Sequence, residues 1–388
     1  MIVNFEFLAV EPLENVITCM HYAVDKVVFF GYDRIMDIME EKTSRFLKKR
    51  CQVKEVEYVR LPREDFQKVK MEMRQAILRE IAIGNECYFD ITGGDSLILV
   101  AFGQLSKVLN CAMHMYDVAE DRLVEFEESG VHLLSNARKR KVQMNLDLFI
   151  EMRGGVINYQ LQKELKSNSD PALAEEIDGI FDVARENWEL WNPFSELLRT
   201  KFVPQKNLSF TSDTDTVAKL IRQNGGRLRR IEEFTRIIDG LAANHVLLDV
   251  RHDEKIYTFR FKNRHVRECI WESGSILEMN VYGKEKQVSD DCRVGVHLDW
   301  DGVVHDKNWE DVLNEIDVLS LNGNVATFIS CKSGKMSGQS SLHALYELDT
   351  VARRFGGRYA RKVLVSAQPL NDIYMQRARE MKIEVRSE

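Results

Sequence analysis

Short apolar runs alternate with amphipathic stretches from Met1 to Glu127, and few folds tolerate that pattern. Ile2, Asn4 and Glu6 oppose Val3, Phe5 and Phe7 as on a strand, and Lys26–Tyr32 is a largely apolar run of buried-strand length. Glu11 to Asn15, with Pro12, open an apolar helix through Met20. Asp33–Arg50 reads as a helix, Val53–Val59 as a strand, Glu64–Ile83 as a long amphipathic helix, Cys87–Ile91 as a strand and Ser96–Leu109 as an apolar helix. Strands that alternate with helices cannot pair as hairpins, so they imply a parallel, doubly wound sheet. Ala112–Val118 and Leu123–Glu127 add short strands at its far edge. The expectation is a Rossmann-like α/β domain over residues 1–145.

Beyond residue 145 the texture changes. Helical periodicity runs from Pro171 to Thr200 with Trp188 and Trp191, bracketed by polar stretches at Ser167–Asp170 and Pro204–Asp215. Two helical stretches follow, Val217–Gln223 and Leu228–Ala243. Then come Val246–Val250, the turn His252-Asp253-Glu254, and Lys255–Phe261. Helix, helix, hairpin is the winged-helix order, so residues 146–264 are expected to form a helical and winged-helix-like segment. From 265 onward a helix at Glu272–Tyr282 precedes strands at Val294–Trp300, Glu315–Leu321 and Ala326–Lys332. A helix at Ser341–Arg354, a strand at Lys362–Ser366, a helix at Leu370–Met381 and a strand at Ile383–Val385 complete a C-terminal α/β domain, 265–388. The length of 388 residues, at roughly 150 per domain, agrees with two or three domains.

Composition narrows the function classes. With 54 Lys and Arg against 61 Asp and Glu, the net charge is −7, which excludes a chain that wraps nucleic acid by bulk positive charge. No stretch approaches the roughly 18 apolar residues of a membrane span; even Ser96–Val108 contains Gln104, Ser106 and Lys107. Met1–Val10 contains Glu6 and reads as a strand rather than a secretory signal, so no membrane association and a cytoplasmic location are expected. The seven cysteines are dispersed and lack C-x-x-C spacing, which favours reduced core thiols over zinc or disulfides.

The strongest constellation is Asn314-Glu315-Ile316-Asp317-Val318, the turn Asn322-Gly323-Asn324, and Thr327 to Lys332. Glu315 and Asp317 share one face of a strand, as do Ser330 and Lys332 on its partner. Where those faces coincide, carboxylates meet a lysine, the minimum equipment for metal-assisted phosphodiester hydrolysis. Glu278 on the preceding helix is a further ligand candidate. The competing reading is a surface hairpin with alternating charges.

Asp317, the 13-residue step to Ser330 and the S-x-K at 330–332 resemble the PD-(D/E)xK motif of restriction-endonuclease-like folds. The wider string NEIDVL…FISCKSG…LYEL…RFGG…KVLV is similar to the nuclease half of the Card and Can nucleases, CRISPR ancillary nucleases of type III systems. That resemblance implies, over the whole chain, an N-terminal CRISPR-associated Rossmann-fold (CARF) sensor joined to a PD-(D/E)xK nuclease domain and switched on by cyclic oligoadenylate. It further implies a homodimer, activation by cyclic tetra-adenylate, Mg2+ or Mn2+ held by Asp317, Glu278 and Glu315, and a single-stranded or duplex DNA or RNA substrate.

A sensor motif matches this expectation. Thr92-Gly93-Gly94-Asp95 sits between a strand and a helix and resembles the T-G-G turn that cradles the cyclic nucleotide in CARF domains. Independently, glycines at such a turn let backbone N–H groups approach a phosphate at a positive helix end, although a turn of this kind also needs glycine for geometry alone. Glu11 and Asn15 belong to the crossover at the same carboxyl edge, where open α/β sheets bind ligands, and Tyr32 ends the second strand, placed to stack an adenine. Two positions depart from the pattern. Ser330 stands where the motif usually carries an acid, so either its hydroxyl contributes or Glu315 supplies the carboxylate. Asp95 would repel phosphates and reads first as a helix cap.

Asp299-Trp300-Asp301-Gly302-Val303 also looks like the start of a haloacid-dehalogenase-like phosphatase. Only 84 residues follow Val304, too few for that fold, and a strand ending in an Asp-Gly turn explains the residues better. A reading from another class is a cyclic-nucleotide-responsive transcription regulator, in which the winged element binds duplex DNA and the C-terminal fold is inactive because of Ser330.

Overall fold

The computed structural model describes residues 1–388 except 64, 119, 128–129, 134–141, 162–171, 203–207, 225–226, 273 and 305–313. Glu64, Ser167–Asp170 and Pro171, together with the part of the Pro204–Asp215 stretch before Leu208, thus lie outside the described residues. By its contacts the chain divides into two units, residues 1–156 with 300–302 and residues 157–299 with 303–388.

The first unit contains strands β1 (Ile2–Phe7), β2 (Lys26–Gly31), β3 (Glu55–Arg60), β4 (Glu86–Asp90), β5 (Ala112–Asp117), β6 (Arg122–Glu127) and β7 (Gly130–Leu133). Between and after them lie helices α1 (Ile17–His21), α2 (Asp33–Arg50), α3 (Phe66–Ala82), α4 (Ser96–Leu109) and α5 (Leu146–Glu151). The sheet order is β3-β2-β1-β4-β5-β6-β7, parallel from β3 to β5 and antiparallel at the β6 and β7 edge. The chain runs outward from β1 to β3 on one side and places β4 on the other. The topological switch therefore falls between β1 and β4, and the loops after these strands share its carboxyl edge.

One face of this sheet is apolar. Phe5, Phe30 and Phe89 pack against α4, whose Ile98, Ala101, Phe102 and Leu105 follow at helical spacing; all seven side chains are buried. Each phenylalanine so enclosed contributes about 2 kcal/mol by area burial. The other face carries a polar row. Glu6 pairs in register with Asp90, and Asp90 with His114, and all three are at least 97% buried.

The second unit begins in the two-residue strand β8 (Val156–Ile157), where the chain leaves the first, and continues through α6 (Ala172–Glu186) and α7 (Trp188–Lys201). The sequence reads Pro171–Thr200 as one helical stretch. It breaks because Asn187 leaves helical geometry (φ −132°, ψ 25°) while its side chain donates to the Val183 carbonyl and accepts from Arg236. The winged element consists of β9 (Ser209–Asp213), α8 (Thr214–Gln223), α9 (Ile231–Ala243), β10 (Leu247–His252) and β11 (Ile256–Phe261), with sheet order β10-β11-β9. Strand β9 falls in a segment whose polar composition reads as a loop; only Phe210 points inward, against Phe259 at 5.3 Å.

After α10 (Arg264–Trp271) and α11 (Ser275–Lys286) come β12 (Asp291–Asp299), β13 (Asn314–Asn322), β14 (Val325–Lys332), α12 (Gln339–Gly356), β15 (Arg361–Ser366), α13 (Asp372–Glu380) and β16 (Glu384–Ser387). The six-stranded order is β16-β15-β14-β13-β12-β8; β12, β13 and β14 form an antiparallel meander, and β14, β15 and β16 run parallel through helical crossovers. A single apolar core joins Trp191 and Phe194 of α7, Phe234 and Tyr257 of the winged element, and Val318, Ile329 and Val365 of this sheet. Helix α10 has no counterpart in the sequence reading; its N-cap is Asn263, which accepts from the Val266 N–H at 2.8 Å. All seven cysteines are free thiols, six of them buried. Among the described residues no helix is long and apolar enough to cross a membrane.

Candidate active site

Strands β13 and β14 pair from Asn322↔Val325 to Val318↔Ile329. Beyond Val318 the ladder gives way to side-chain bonding. The Asp317 carboxylate accepts the Cys331 backbone N–H at 2.6 Å and the Ser330 hydroxyl at 3.1 Å, and Lys332 Nζ stands 3.7 Å away. All three approach Oδ2, which leaves Oδ1 without a hydrogen-bond donor among the described residues. Alternation along β13 buries Ile316 and Val318 in the core and turns Glu315 and Asp317 to the other face. There they line a cavity of about 520 Å³ together with Ser275 and Glu278 of α11 and Glu272 and Gly274 just before it. The same wall holds Asn192, Glu196 and Arg199 of α7, residues that no sequence signal marks.

The structure thus brings Asp317, Glu315 and Glu278 to one pocket, with Lys332 and Ser330 against Asp317. Ser330 is buried, and its hydroxyl is spent on Asp317. The donors fit magnesium or manganese in kind, since both ions take carboxylate oxygens. Among the described residues no three His, Cys, Asp or Glu side chains already stand close enough to hold an ion, so Glu278 and Glu315 would have to turn toward Asp317.

In the first unit the T-G-G turn lies at the carboxyl edge of β4. Its Thr92 N–H donates to Asp90 at 2.8 Å, and its Thr92 hydroxyl accepts the Tyr116 N–H at 2.8 Å and meets that of Thr18 at 3.4 Å. Burial disfavours the Asp90 carboxylate, yet His114, Thr18 and Thr92 together hold its carboxyl below the usual range. Gly94 has φ +140°, a conformation that glycine supplies without strain. A Cβ on Gly93 would lie 2.4 Å from Glu14 Oε2, so Glu14 closes against the turn. Asp95 is the N-cap of α4, accepting from Leu97 N–H at 2.9 Å, as its position in the sequence predicts.

The remaining sensor candidates lie just after β1 and β2, at the same carboxyl edge of the sheet, and their side chains are buried. Asn15 clips the loop after β1, accepting from Ala9 N–H at 2.7 Å and donating to its carbonyl at 2.9 Å. Glu11 pairs with Arg153 at 2.6 Å, both buried, and burial outweighs this partner to pull the Arg153 guanidinium down to about 10. Tyr32 packs edge-on against Phe7 at 5.5 Å, with Arg63 over its ring at 5.2 Å.

Two other readings gain nothing from the structure. Asp299 ends β12 buried, accepts from Asn158 at 3.1 Å, and is followed by a turn at Gly302 (φ +79°). In the winged element, Glu232 and Asp239 of α9 line a groove of about 600 Å³ with Asp253 and Glu254 of the hairpin turn, and His252 is drawn to Asp239 at 2.8 Å. With four carboxylates against Arg236, this groove is net acidic and disfavours a DNA backbone there.

Residues 269–388 match the family described as Card1-like, endonuclease domain. A comparison with curated proteins finds no match. Among solved structures, protein VC1899 from Vibrio cholerae superposes with a TM-score of 0.70 at 17% identity, covering 99% of this chain and 93% of that one. Can2 from Sulfobacillus thermosulfidooxidans, solved in complex with cyclic tetra-adenylate, superposes with a TM-score of 0.65 at 15% identity, covering 99% and 95%. At these identities the likeness is one of fold. The second unit therefore carries a domain of the Card1-like endonuclease family over residues 269–388, on a chain that shares its whole fold with VC1899 and Can2.

Proposed function

We propose that the protein is a metal-dependent nuclease of CRISPR antiviral defence, gated by cyclic oligoadenylate and acting on DNA or RNA phosphodiester bonds. One observation carries the reading: within a domain that matches an endonuclease family, Asp317, Glu315 and Glu278 line one pocket, with Lys332 3.7 Å from Asp317. Asp317, Glu315 and Glu278 would hold magnesium or manganese, which supplies stabilisation of negative charge on the phosphate. The Ser330 hydroxyl and Cys331 N–H fix the Asp317 carboxylate from behind, and Lys332 supplies a cation beside the reacting phosphate. Glu315 takes the place of the acid that Ser330 lacks.

The crevice between β1 and β4, with the Gly93-Gly94 turn at the N-terminus of α4, is the proposed sensor site. Cyclic tetra-adenylate is the expected activator, since Can2 of like fold is complexed with it. A ligand with twofold symmetry suits a homodimer with the ligand on its axis. The test is cleavage of labelled single-stranded and duplex DNA and RNA by wild type and Lys332→Ala, each with manganese and cyclic tetra-adenylate, and again with EDTA. Cutting by wild type alone, abolished by EDTA, supports the reading; equal cutting by both proteins, or cutting in EDTA, contradicts it.

A further inference from the structure

Helix α7 lies outside the endonuclease-family match, yet Asn192, Glu196 and Arg199 follow one another at helical spacing along the wall of the Asp317 pocket. Trp191, Phe194, Leu197 and Leu198 of the same helix are buried in the core that also holds Val318 and Ile329. The helix thereby shares one core with the sheet that carries the site. A local tie adds to this: the hydroxyl of Ser333, the residue after Lys332, donates to Asn192 Oδ1 at 3.3 Å.

The pocket wall carries five carboxylates, those of Glu196, Glu272, Glu278, Glu315 and Asp317, and one guanidinium, Arg199. A guanidinium in such company ordinarily closes onto a carboxylate. Arg199 is exposed in the last turn of α7 and forms no ion pair or hydrogen bond among the described residues. A phosphodiester strand entering this pocket meets repulsion from every acid that is not neutralised. Lys332 is already 3.7 Å from Asp317, which leaves Arg199 as the uncommitted cation of the wall.

We propose that Arg199 anchors a non-bridging phosphate oxygen of the substrate strand beside the scissile bond, so that α7 supplies substrate binding to the endonuclease domain. The planar fork of the guanidinium matches phosphate geometry, and a lysine at this place would bind as a point charge only. This inference rests on the nuclease reading above, and its test separates the two.

Wild type, Arg199→Ala and Arg199→Lys are assayed as full-length protein with manganese and cyclic tetra-adenylate, on labelled single-stranded DNA and RNA over a range of salt. Arg199→Ala is expected to raise KM about 10- to 100-fold, the weight of one charge-assisted hydrogen-bonded contact. Its kcat should stay within about threefold, as for a contact made equally in ground and transition states. The slope of log(kcat/KM) against log salt should fall by about 0.7, one phosphate contact on a single strand. Arg199→Lys should recover part of the KM. An active Arg199→Ala enzyme with unchanged KM and slope overturns the proposal. So does a loss confined to kcat, which would assign the guanidinium to holding the carboxylates. Binding of uncut, fluorescein-labelled oligonucleotide to Asp317→Asn, with and without Arg199→Ala, reads the anchor without turnover. Should wild type fail to cut, the nuclease reading falls, while weaker binding by the double variant still supports the anchor and equal binding overturns it.

Discussion

At the residue scale, the site is organised around one carboxylate whose surroundings are unequal. Asp317 Oδ2 takes a backbone N–H, a hydroxyl and the neighbourhood of a lysine, and Oδ1 takes no donor among the described residues. Removing the charge while keeping the shape, in Asp317→Asn, should abolish cleavage. Lys332→Ala should lower kcat by about 10² or more, the range of a positioned electrostatic group. Ser330→Ala loses one hydrogen bond to Asp317 and should cost less than Glu315→Ala, measured as kcat under saturating manganese. If Ser330→Ala is dead and Glu315→Ala silent, Glu315 does not stand in for the missing acid. The pairing of these residues was legible in the sequence, because alternation fixes which strand residues share a face. Arg199 was not: it lies more than a hundred residues before Asp317, and only the tertiary packing of α7 brings it to the pocket.

A second residue-scale prediction concerns Glu6. Complete burial, reinforced by the Asp90 charge, raises its carboxyl well above its usual 4.5 despite the Asn4 hydrogen bond. The folded state therefore holds a proton that the unfolded chain has released, so this group's contribution to stability is full below about pH 4.5 and is lost as pH rises toward the folded value. Glu6→Gln keeps the neutral form at every pH. Its stability advantage over wild type, from urea midpoints, should grow from about pH 4.5 upward and then level off. A difference that is flat with pH would mean that Glu6 is ionised in the fold.

At the scale of elements, apolar runs locate β1 and β2, which are buried on both faces, and apolar periodicity locates α2 to α4, each of which buries one face. It missed β9, where one inward phenylalanine among polar residues carries too little signal, and α10, which an Asn cap begins without any break in composition. It also fused α6 and α7, since Asn187 interrupts the helix by geometry rather than by Pro or Gly. The turn before α4 combines a cap with a constrained glycine. Asp95→Ala should cost about 1 kcal/mol through the lost Leu97 bond. Gly93→Ala is expected to force Glu14 away from the turn, because the added Cβ would lie 2.8 Å from the Glu14 Cβ as well as against its carboxylate. Thermal unfolding of the two variants reads both effects; a Gly93→Ala protein as stable as wild type would show that Glu14 yields freely.

At the scale of the whole molecule, the proposed activation couples a sensor site between β1 and β4 to a pocket in the second unit. Texture in the sequence separates a middle segment from the C-terminal domain, but α7, the winged element and the endonuclease sheet share one core, a fact that no local pattern reports. If activation is an equilibrium effect, coupling must be reciprocal, and uncut substrate bound to Asp317→Asn should tighten activator binding. The most direct measurement is the initial cleavage rate in manganese as a function of cyclic tetra-adenylate concentration, for wild type and Gly94→Val. Valine at φ +140°, with its Cβ 3.2 Å from Leu99 and 3.3 Å from Phe7, disturbs the turn while the second unit keeps its own core. The wild-type rate is expected to rise from near zero to saturation and the Gly94→Val rate to stay flat, with both proteins folded by circular dichroism. A wild-type rate independent of the activator, or a Gly94→Val curve that superposes on wild type, would contradict the proposed activation.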